Sequence, residues 1–326
     1  MARKQPNQTE KKAFRSKKPR RAQRAKVYEG LERVPRGDAI MRITDGCLAL
    51  EGGAFRGLYT SGVLDVMMQA GLNLQTTIGV SAGALNALGY VAGQIGFSAT
   101  VNLKYRHDPR YVGVEPMANP EDRGVIGFDY LFGEIIKNEP INIQRLMRPE
   151  RRMIAVATAL TTAMPVFFEK KEDCQVLFKA VQASASMPYI TKPVEVMGIR
   201  CLDGGCSMHI PHPWALQQGF DKIVVVRTRP RSYRKKTGNA NRRLAEMMYP
   251  TFPEFVEALS TMNEQYNAQC DELDRLESEG RVFVIAPRLP ITISRLEGDM
   301  NRLGEVYWMG VADMRSRLEA LKEYLQ

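Results

Sequence analysis

The chain has 326 residues, 44% hydrophobic and 8% aromatic, which is ordinary for a globular enzyme and long enough for one large domain or two. No stretch approaches the roughly 18 uninterrupted apolar residues of a membrane span. The formal net charge of +10 is concentrated: "MARKQPNQTEKKAFRSKKPRRAQRAK", residues 1–26, holds eleven Lys/Arg against the single acid Glu10, which leaves 27–326 close to neutral.

So basic and apolar-poor a segment cannot bury enough surface to offset the cost of ordering it. Residues 1–38 are therefore expected to be a disordered basic arm and linker, and 39–326 one folded domain. The arm lacks the apolar core of a secretory signal, and its clustered "KKPRR" gives no amphipathic pattern for a transit peptide. It suits an anionic membrane surface or, as a second choice, nucleic acid; a purely solvated tail is the plain alternative. Five cysteines (47, 174, 201, 206, 270) are odd in number and irregularly spaced. No Cys/His cluster completes a metal site. Reduced thiols, no metal, no cofactor and a cytoplasmic setting, with peripheral attachment to the membrane's inner face through the arm, are the expectations.

In chain order, "CLALEGGAFRG" begins as a strand and breaks into a glycine-rich loop. "LYTSGVLDVMMQAG" then has helical periodicity. "LQTTIGV" is β-rich and runs into Ser81, followed by a helix from Ala82 towards Val91. The segment 105–150, rich in Pro, Gly and aromatic residues, can line or cover a site. Its "FDYLFGEII" reads either as a short helix packed into the core or as a membrane-contacting lid. Further strands fit 152–160, 164–169, 221–228 and 281–287. "PVEVMGIRCLDGG" reads as a hairpin turning at Met197-Gly198, and helical patterns fill 253–279 and 302–325. This alternation predicts one α/β domain whose sheet is mostly parallel and mixed at the hairpin.

Three motifs carry chemistry. Gly79-Val80-Ser81-Ala82-Gly83 fits the nucleophile elbow G-x-S-x-G, in which a serine sits on a strand-to-helix turn too tight for large neighbours. The alternative is a glycine-flanked helix cap. Gly52-Gly53-Ala54-Phe55-Arg56-Gly57 follows a strand and lets backbone N–H groups converge on an oxyanion; Arg56 can hold the loop or bind an anionic headgroup. A dinucleotide-binding reading fails because Ala54 stands at the second glycine of G-x-G-x-x-G. Asp203-Gly204-Gly205 ends a strand, where α/β folds place their sites, although Asp-Gly is also an ordinary turn. Together the three suggest that Asp203 takes the proton of Ser81 directly. A histidine base, His209 or His212, has the chain order of a hydrolase triad but lies only six or nine positions after Asp203, whereas the two normally occupy separate loops.

These residues resemble the patatin-like phospholipases, bacterial members included, over roughly 45–230. "EGGAFRG" resembles the family's oxyanion loop, "GVSAG" its elbow, "DGG" its aspartate motif, and "ASASMPYITKPVEVMGIRCLDGG" the approach to that aspartate. The resemblance implies a three-layer α/β/α sandwich. In it Ser81 is the nucleophile and Asp203 its base, the amides of Gly52, Gly53, Ala54 and Phe55 form the oxyanion hole, and Arg56, Gly57, Gly79, Gly83, Gly204 and Gly205 shape the loops. It requires no metal. The chain departs from the family at Ala54, where glycine is common. The expected function is hydrolysis of (phospho)lipid carboxylic esters. The alternatives are a general esterase or thioesterase on soluble acyl compounds, and a non-catalytic lipid- or nucleic-acid-binding protein on the same scaffold.

Overall fold

The computed structural model describes residues 26–40, 42–120, 122, 124–238 and 242–326. The expectations for the basic arm fall on residues 1–25, outside the described residues. Eight strands form one sheet: β1 (Thr44–Leu50), β2 (Leu74–Val80), β3 (Arg152–Ala159), β4 (Pro165–Glu169), β5 (Val194–Val196), β6 (Ile199–Asp203), β7 (Ile223–Val226) and β8 (Phe283–Ile285). Their order is β8-β7-β1-β2-β3-β6-β5, with β4 also pairing β3. The first five strands of this order run parallel, whereas β4, β6 and the β5–β6 hairpin are antiparallel. The sheet is thus mixed at one edge, as the hairpin predicts.

Alternating side chains feed two cores, as the period of two along a strand requires. Leu48 and Leu50 of β1 face the helices α1 (Gly57–Gln69), α2 (Ala82–Val91), α3 (Cys174–Ser184) and α5 (Met300–Tyr324). Cys47 and Ala49 face α4 (Pro253–Ser278) and the short helix His212–Gln217. The architecture is a three-layer α/β/α sandwich. All five cysteines are unpaired, and no helix of the described residues is long and apolar enough to cross a membrane.

Two expectations about the chain's irregular parts are settled here. The folded region begins before residue 39: Tyr28 is buried, its amide donates to the Leu103 carbonyl at 3.0 Å, and its hydroxyl accepts from Trp308 Nε1 at 3.1 Å. Gly37–Asp38 also pairs with Gln94–Ile95. Average composition hides single apolar anchors such as Tyr28 and Val34, which is why 27–38 reads as linker. The segment "FDYLFGEII" packs inward. Phe128, Leu131 and Ile135 join the main core, and Phe132 stacks on Phe178 of α3 with ring centroids 4.8 Å apart.

Candidate active site

Ser81 stands between β2 and α2 with φ 55° and ψ −122°, a conformation costly for any residue with a Cβ. The turn leaves no room beside it. A Cβ on Gly79 would lie 2.6 Å from the Ala84 nitrogen, and one on Gly83 2.5 Å from the Leu50 carbonyl oxygen. The two glycines of the elbow are therefore required by close backbone approach. The Ser81 amide donates to Ser184 Oγ at 2.9 Å, so the end of α3 holds the strained turn. Behind the serine, the first turn of α2 presents its free N–H groups and positive dipole end.

Sheet register brings Asp203 to the serine. Val80 aligns with Val156 of β3, and the next residue, Ala157, aligns with Asp203 of β6. Ser81 and Asp203 thus lie in one row across the end of β3, about two strand spacings (~9.5 Å) apart along the backbone, with only the small Ala157 between them. Their side chains are near enough for the Ser81 hydroxyl to favour the ionised form of the Asp203 carboxyl. Asp203 is held from three further sides. Its amide donates to the Ser186 carbonyl at 2.8 Å, its Oδ1 accepts from the Gly205 amide at 2.8 Å, and its carbonyl accepts from Thr158 Oγ1 at 2.9 Å. A side chain on Gly204 would collide with the Val156 carbonyl, so the chain can cross the end of β3 only as glycine. Burial pushes the Asp203 carboxyl up to about 6, opposed by the Ser81 hydroxyl, by the hydrogen bond from Gly205 and by the positive charges of Arg295 and Lys235.

The histidines are engaged elsewhere. His209 Nε2 lies 2.8 Å from the Met262 carbonyl, which requires a proton on Nε2. Burial, with the nearby Lys235, lowers its pKa to about 3. His212 Nε2 meets Glu272 at 3.0 Å, and His107 Nε2 meets the Gly298 carbonyl at 2.8 Å. Among the described residues, no hydrogen bond joins a histidine to Ser81.

The glycine-rich loop approaches the serine directly: a Cβ on Gly52 would sit 3.0 Å from Ser81 Cβ, and one on Gly57 would sit 2.9 Å from Ala82 Cβ. Thr228 Oγ1 donates to the Gly52 carbonyl at 2.8 Å. The amides of Gly52, Gly53 and Ala54 have no acceptor among the described residues. Phe55 differs from expectation, because its amide faces the Arg295 carbonyl at 3.5 Å and is not free for an oxyanion. Ala54 takes φ 49°, the left-handed region that glycine occupies at no steric cost. Arg56 is buried.

An apolar cavity opens at Ser81 and is lined by Leu58, Leu85, Phe128, Met187 and Leu296 among others. Sequence reasoning does not single out Ser184, Leu296 or Arg295. Ser184 lies inside the small-residue run of "ASASMP", the one local signal for it. The other two come from the far C-terminal region and carry no motif. Among the described residues, no cluster of His, Cys, Asp and Glu could hold a metal.

An α/β/α sandwich with a serine on a glycine-flanked elbow, opening on an apolar cavity, is an arrangement on which acyl hydrolases are built. Residues 48–216, just over half of the chain, match the model of the patatin-like phospholipases, and the chain belongs to that family, whose members are lipid acyl hydrolases. Residues 252–326 match a domain of unknown function, DUF6363. The uncharacterized protein YjjU of Escherichia coli (strain K12) is 30% identical over 188 residues, 56% of this chain and 52% of that protein. The match thus spans about half the length of that relative. Among solved structures, VipD from Legionella pneumophila aligns over 94% of this chain and 72% of its own, with a TM-score of 0.45 and 12% identity.

Proposed function

We propose that the chain is a phospholipase A- or lysophospholipase-type hydrolase that works through a Ser81 acyl-enzyme, with Asp203 as general base. The observation that carries this reading is the register that sets Ser81 and Asp203 in one row across the end of β3, with all three histidines hydrogen-bonded to other partners. A carboxylate near its ordinary pKa of about 4 is a poor acceptor for a serine proton. One raised to about 6 is a better base and is still ionised at neutral pH.

As Ser81 Oγ attacks the ester carbonyl, its proton passes to Asp203. The carbonyl oxygen takes up negative charge against the free amides of Gly53 and Ala54, aided by the N-terminal end of α2. Collapse of the tetrahedral intermediate breaks the bond to the alcohol, which leaves with the proton from Asp203. Water then attacks the acyl carbon and gives a proton to Asp203; the bond to Ser81 Oγ breaks, Ser81 recovers that proton from Asp203, and the fatty acid leaves. The cavity suits an acyl chain, since each buried CH2 contributes about 0.8 kcal/mol.

The test compares hydrolysis of a short-chain nitrophenyl ester by the wild type, Asp203→Asn and His209→Gln/His212→Gln. Turnover lost only in Asp203→Asn supports the dyad; loss in a folded histidine variant would overturn it. Equal rates on monomeric and vesicular substrates would move the substrate class to soluble acyl esters. The arm is proposed to draw the enzyme to anionic membrane surfaces, at about 1 kcal/mol per basic residue near the surface. Deleting residues 1–26 should lower vesicle binding at low ionic strength, and unchanged binding would sink that idea.

A further inference from the structure

The helix behind the nucleophile, α2, begins with Ala, Gly and Leu residues interrupted by a single amide, Asn86. Asparagine is a weak helix former, because its side chain competes for backbone groups, and Asn86 is also buried. Its partners explain its presence. Asn86 Nδ2 donates to the Gly57 carbonyl at 3.1 Å and to the Ala82 carbonyl at 2.8 Å. Its Oδ1 accepts from Ser61 Oγ at 2.6 Å, a hydroxyl that also lies 3.2 Å from the Gly57 carbonyl. Backbone carbonyls only accept, so the nitrogen of the amide must face them, and both ends of the carboxamide are satisfied.

The two carbonyls belong to the two halves of the site. Gly57 closes the glycine-rich loop: its amide donates to the Ala54 carbonyl, and the Arg56 amide donates to the Gly53 carbonyl at 3.1 Å. Ala82 is the residue after Ser81. Hydrogen bonds therefore run without a break from Ala54 through Gly57 and Asn86 to Ala82. The halves also touch, since a Cβ on Gly57 would lie 2.9 Å from Ala82 Cβ and 3.1 Å from Asn86 Nδ2. The other end of the loop is tied elsewhere. Thr228 Oγ1 donates to the Gly52 carbonyl and the Thr228 amide meets Glu51, which fixes that end beside β7. Among the described residues, Asn86 is the one side chain whose hydrogen bonds join the loop to the elbow.

We propose that Asn86 is a positioning residue of the site: its carboxamide clamps the glycine-rich loop to the first turn of α2, so that the amides of Gly53 and Ala54 stay aimed at the carbonyl oxygen of an ester on Ser81. The proposal rests on the reading of Ser81 and Asp203 as an ester hydrolase and adds to it what sets the loop's distance from the nucleophile. Such donors must be held within about 0.5 Å of the productive geometry, and a displacement of about 1 Å can cost about 10²-fold in rate. Asn86 also borders the acyl cavity, so a contact with the acyl chain is the competing role, and it would appear in KM.

The test compares the wild type with Asn86→Leu, close in size but without polar atoms, and Asn86→Asp, which sets an oxygen against the two carbonyls. On a short-chain nitrophenyl ester each should lower kcat about 10–100-fold, with KM within about twofold. Hexyl trifluoromethyl ketone reports on the loop directly. Ser81 Oγ adds to its carbonyl carbon, the serine proton passes to Asp203, and the carbonyl electron pair remains on oxygen as an oxyanion. Its affinity should fall in step with kcat, whereas hexyl methyl ketone, which stays a ketone, should bind unchanged. Unaltered kcat in the folded variants, equal losses for both ketones, or a loss confined to KM overturns the proposal.

Hydrogen exchange reads the clamp without turnover. The bonded amides of Arg56 and Gly57 should exchange about tenfold faster or more in Asn86→Leu, while those of α5 keep their rates. If the wild type hydrolyses no ester and binds neither ketone, the hydrolase reading falls; faster exchange then upholds the clamp, and unchanged exchange overturns it. Should both Asn86 variants fail to fold, Ser61→Ala carries the test. Loss of the hydroxyl that braces Asn86 Oδ1 should lower kcat about threefold to tenfold at constant KM, and an unchanged kcat overturns the proposal.

Discussion

Between residues 48 and 216 polar contacts fix two residues: Ser184 Oγ accepts from the amide of Ser81, the Ser186 carbonyl accepts from the amide of Asp203, and the Gly205 amide donates to the Asp203 carboxylate. Between 252 and 326 nothing resembles a catalytic motif, yet this region shapes the same site from outside. It contributes β8 to the sheet, the Met262 carbonyl that occupies His209, the Arg295 carbonyl that faces the glycine-rich loop and Leu296 in the cavity wall. Its helix α5 lies against α1 with Gly310 over the Tyr59 carbonyl and Gly62 beneath Tyr307. Two tyrosine–aspartate hydrogen bonds, Tyr307–Asp65 at 2.9 Å and Tyr59–Asp313 at 3.2 Å, cross the same contact. The first region fixes Ser81 and Asp203 by backbone geometry; the second sets the shape around them by packing. Chemistry and stability should therefore respond to different substitutions.

The largest effect is expected on the chemical side. Asp203→Asn should lower kcat about 10³–10⁴-fold, in the range for loss of a general base. It should also stabilise the fold at pH 8. A carboxyl raised from 3.8 to about 6 favours the folded state fully below its unfolded pKa, and that advantage is lost as pH rises through about 6. Above that, the buried charge costs on the order of 2–3 kcal/mol, which a neutral amide removes. A thermal melt at pH 8 checks this, and a lower melting temperature would contradict it. The same shift predicts that wild-type kcat/KM falls about tenfold per pH unit well below 6 and is level above it. A flat profile between pH 4.5 and 7 would argue against Asp203 as the base.

On the supporting side, Gly310→Ala forces a methyl group into the Tyr59 carbonyl and should cost about 1–3 kcal/mol or more, as overpacking does. Urea unfolding measures it, and an unchanged midpoint would mean that α1 and α5 part without strain. Leu296→Ala should act more mildly and only on chain-length preference. Loss of part of the cavity wall should raise KM for long acyl esters roughly tenfold, while short esters are spared. Equal losses on both would mean that Leu296 acts through the glycine-rich loop and not through the acyl chain. The smallest effect belongs to Ala54→Gly, which removes a left-handed alanine and should add about 1 kcal/mol of stability. A lower melting temperature would show that the chain-entropy cost of glycine outweighs the relief.

The parts legible from sequence share a property: the constraint lies within a few residues. The glycines at 79 and 83 announce the elbow because the Cβ collisions they avoid are with Ala84, Gly83 and Leu50, the elbow itself and the strand before it. The Met197-Gly198 turn announces the β5–β6 hairpin because both residues need positive φ, 51° and 81°. From such strands and helices the mixed α/β sheet follows. Asp203 was ambiguous for the opposite reason. Asp-Gly is an ordinary turn until β3 is known to lie against it, with the Val156 carbonyl where a side chain on Gly204 would go.

Local spacing and composition, then, determined the α/β class, the elbow and the glycine loop, because backbone sterics act over a few residues. Tertiary structure alone decided the rest: that Ala157 stands between Ser81 and Asp203 in one row of the sheet, that His209 Nε2 meets the Met262 carbonyl, and that Tyr28 belongs to the core. It also decided that Arg231 and Arg234 pair with carboxylates of α4. Electrostatic and packing energies depend on distance in space, and residues far apart in the chain acquire that distance only when the sheet closes and α5 docks on α1.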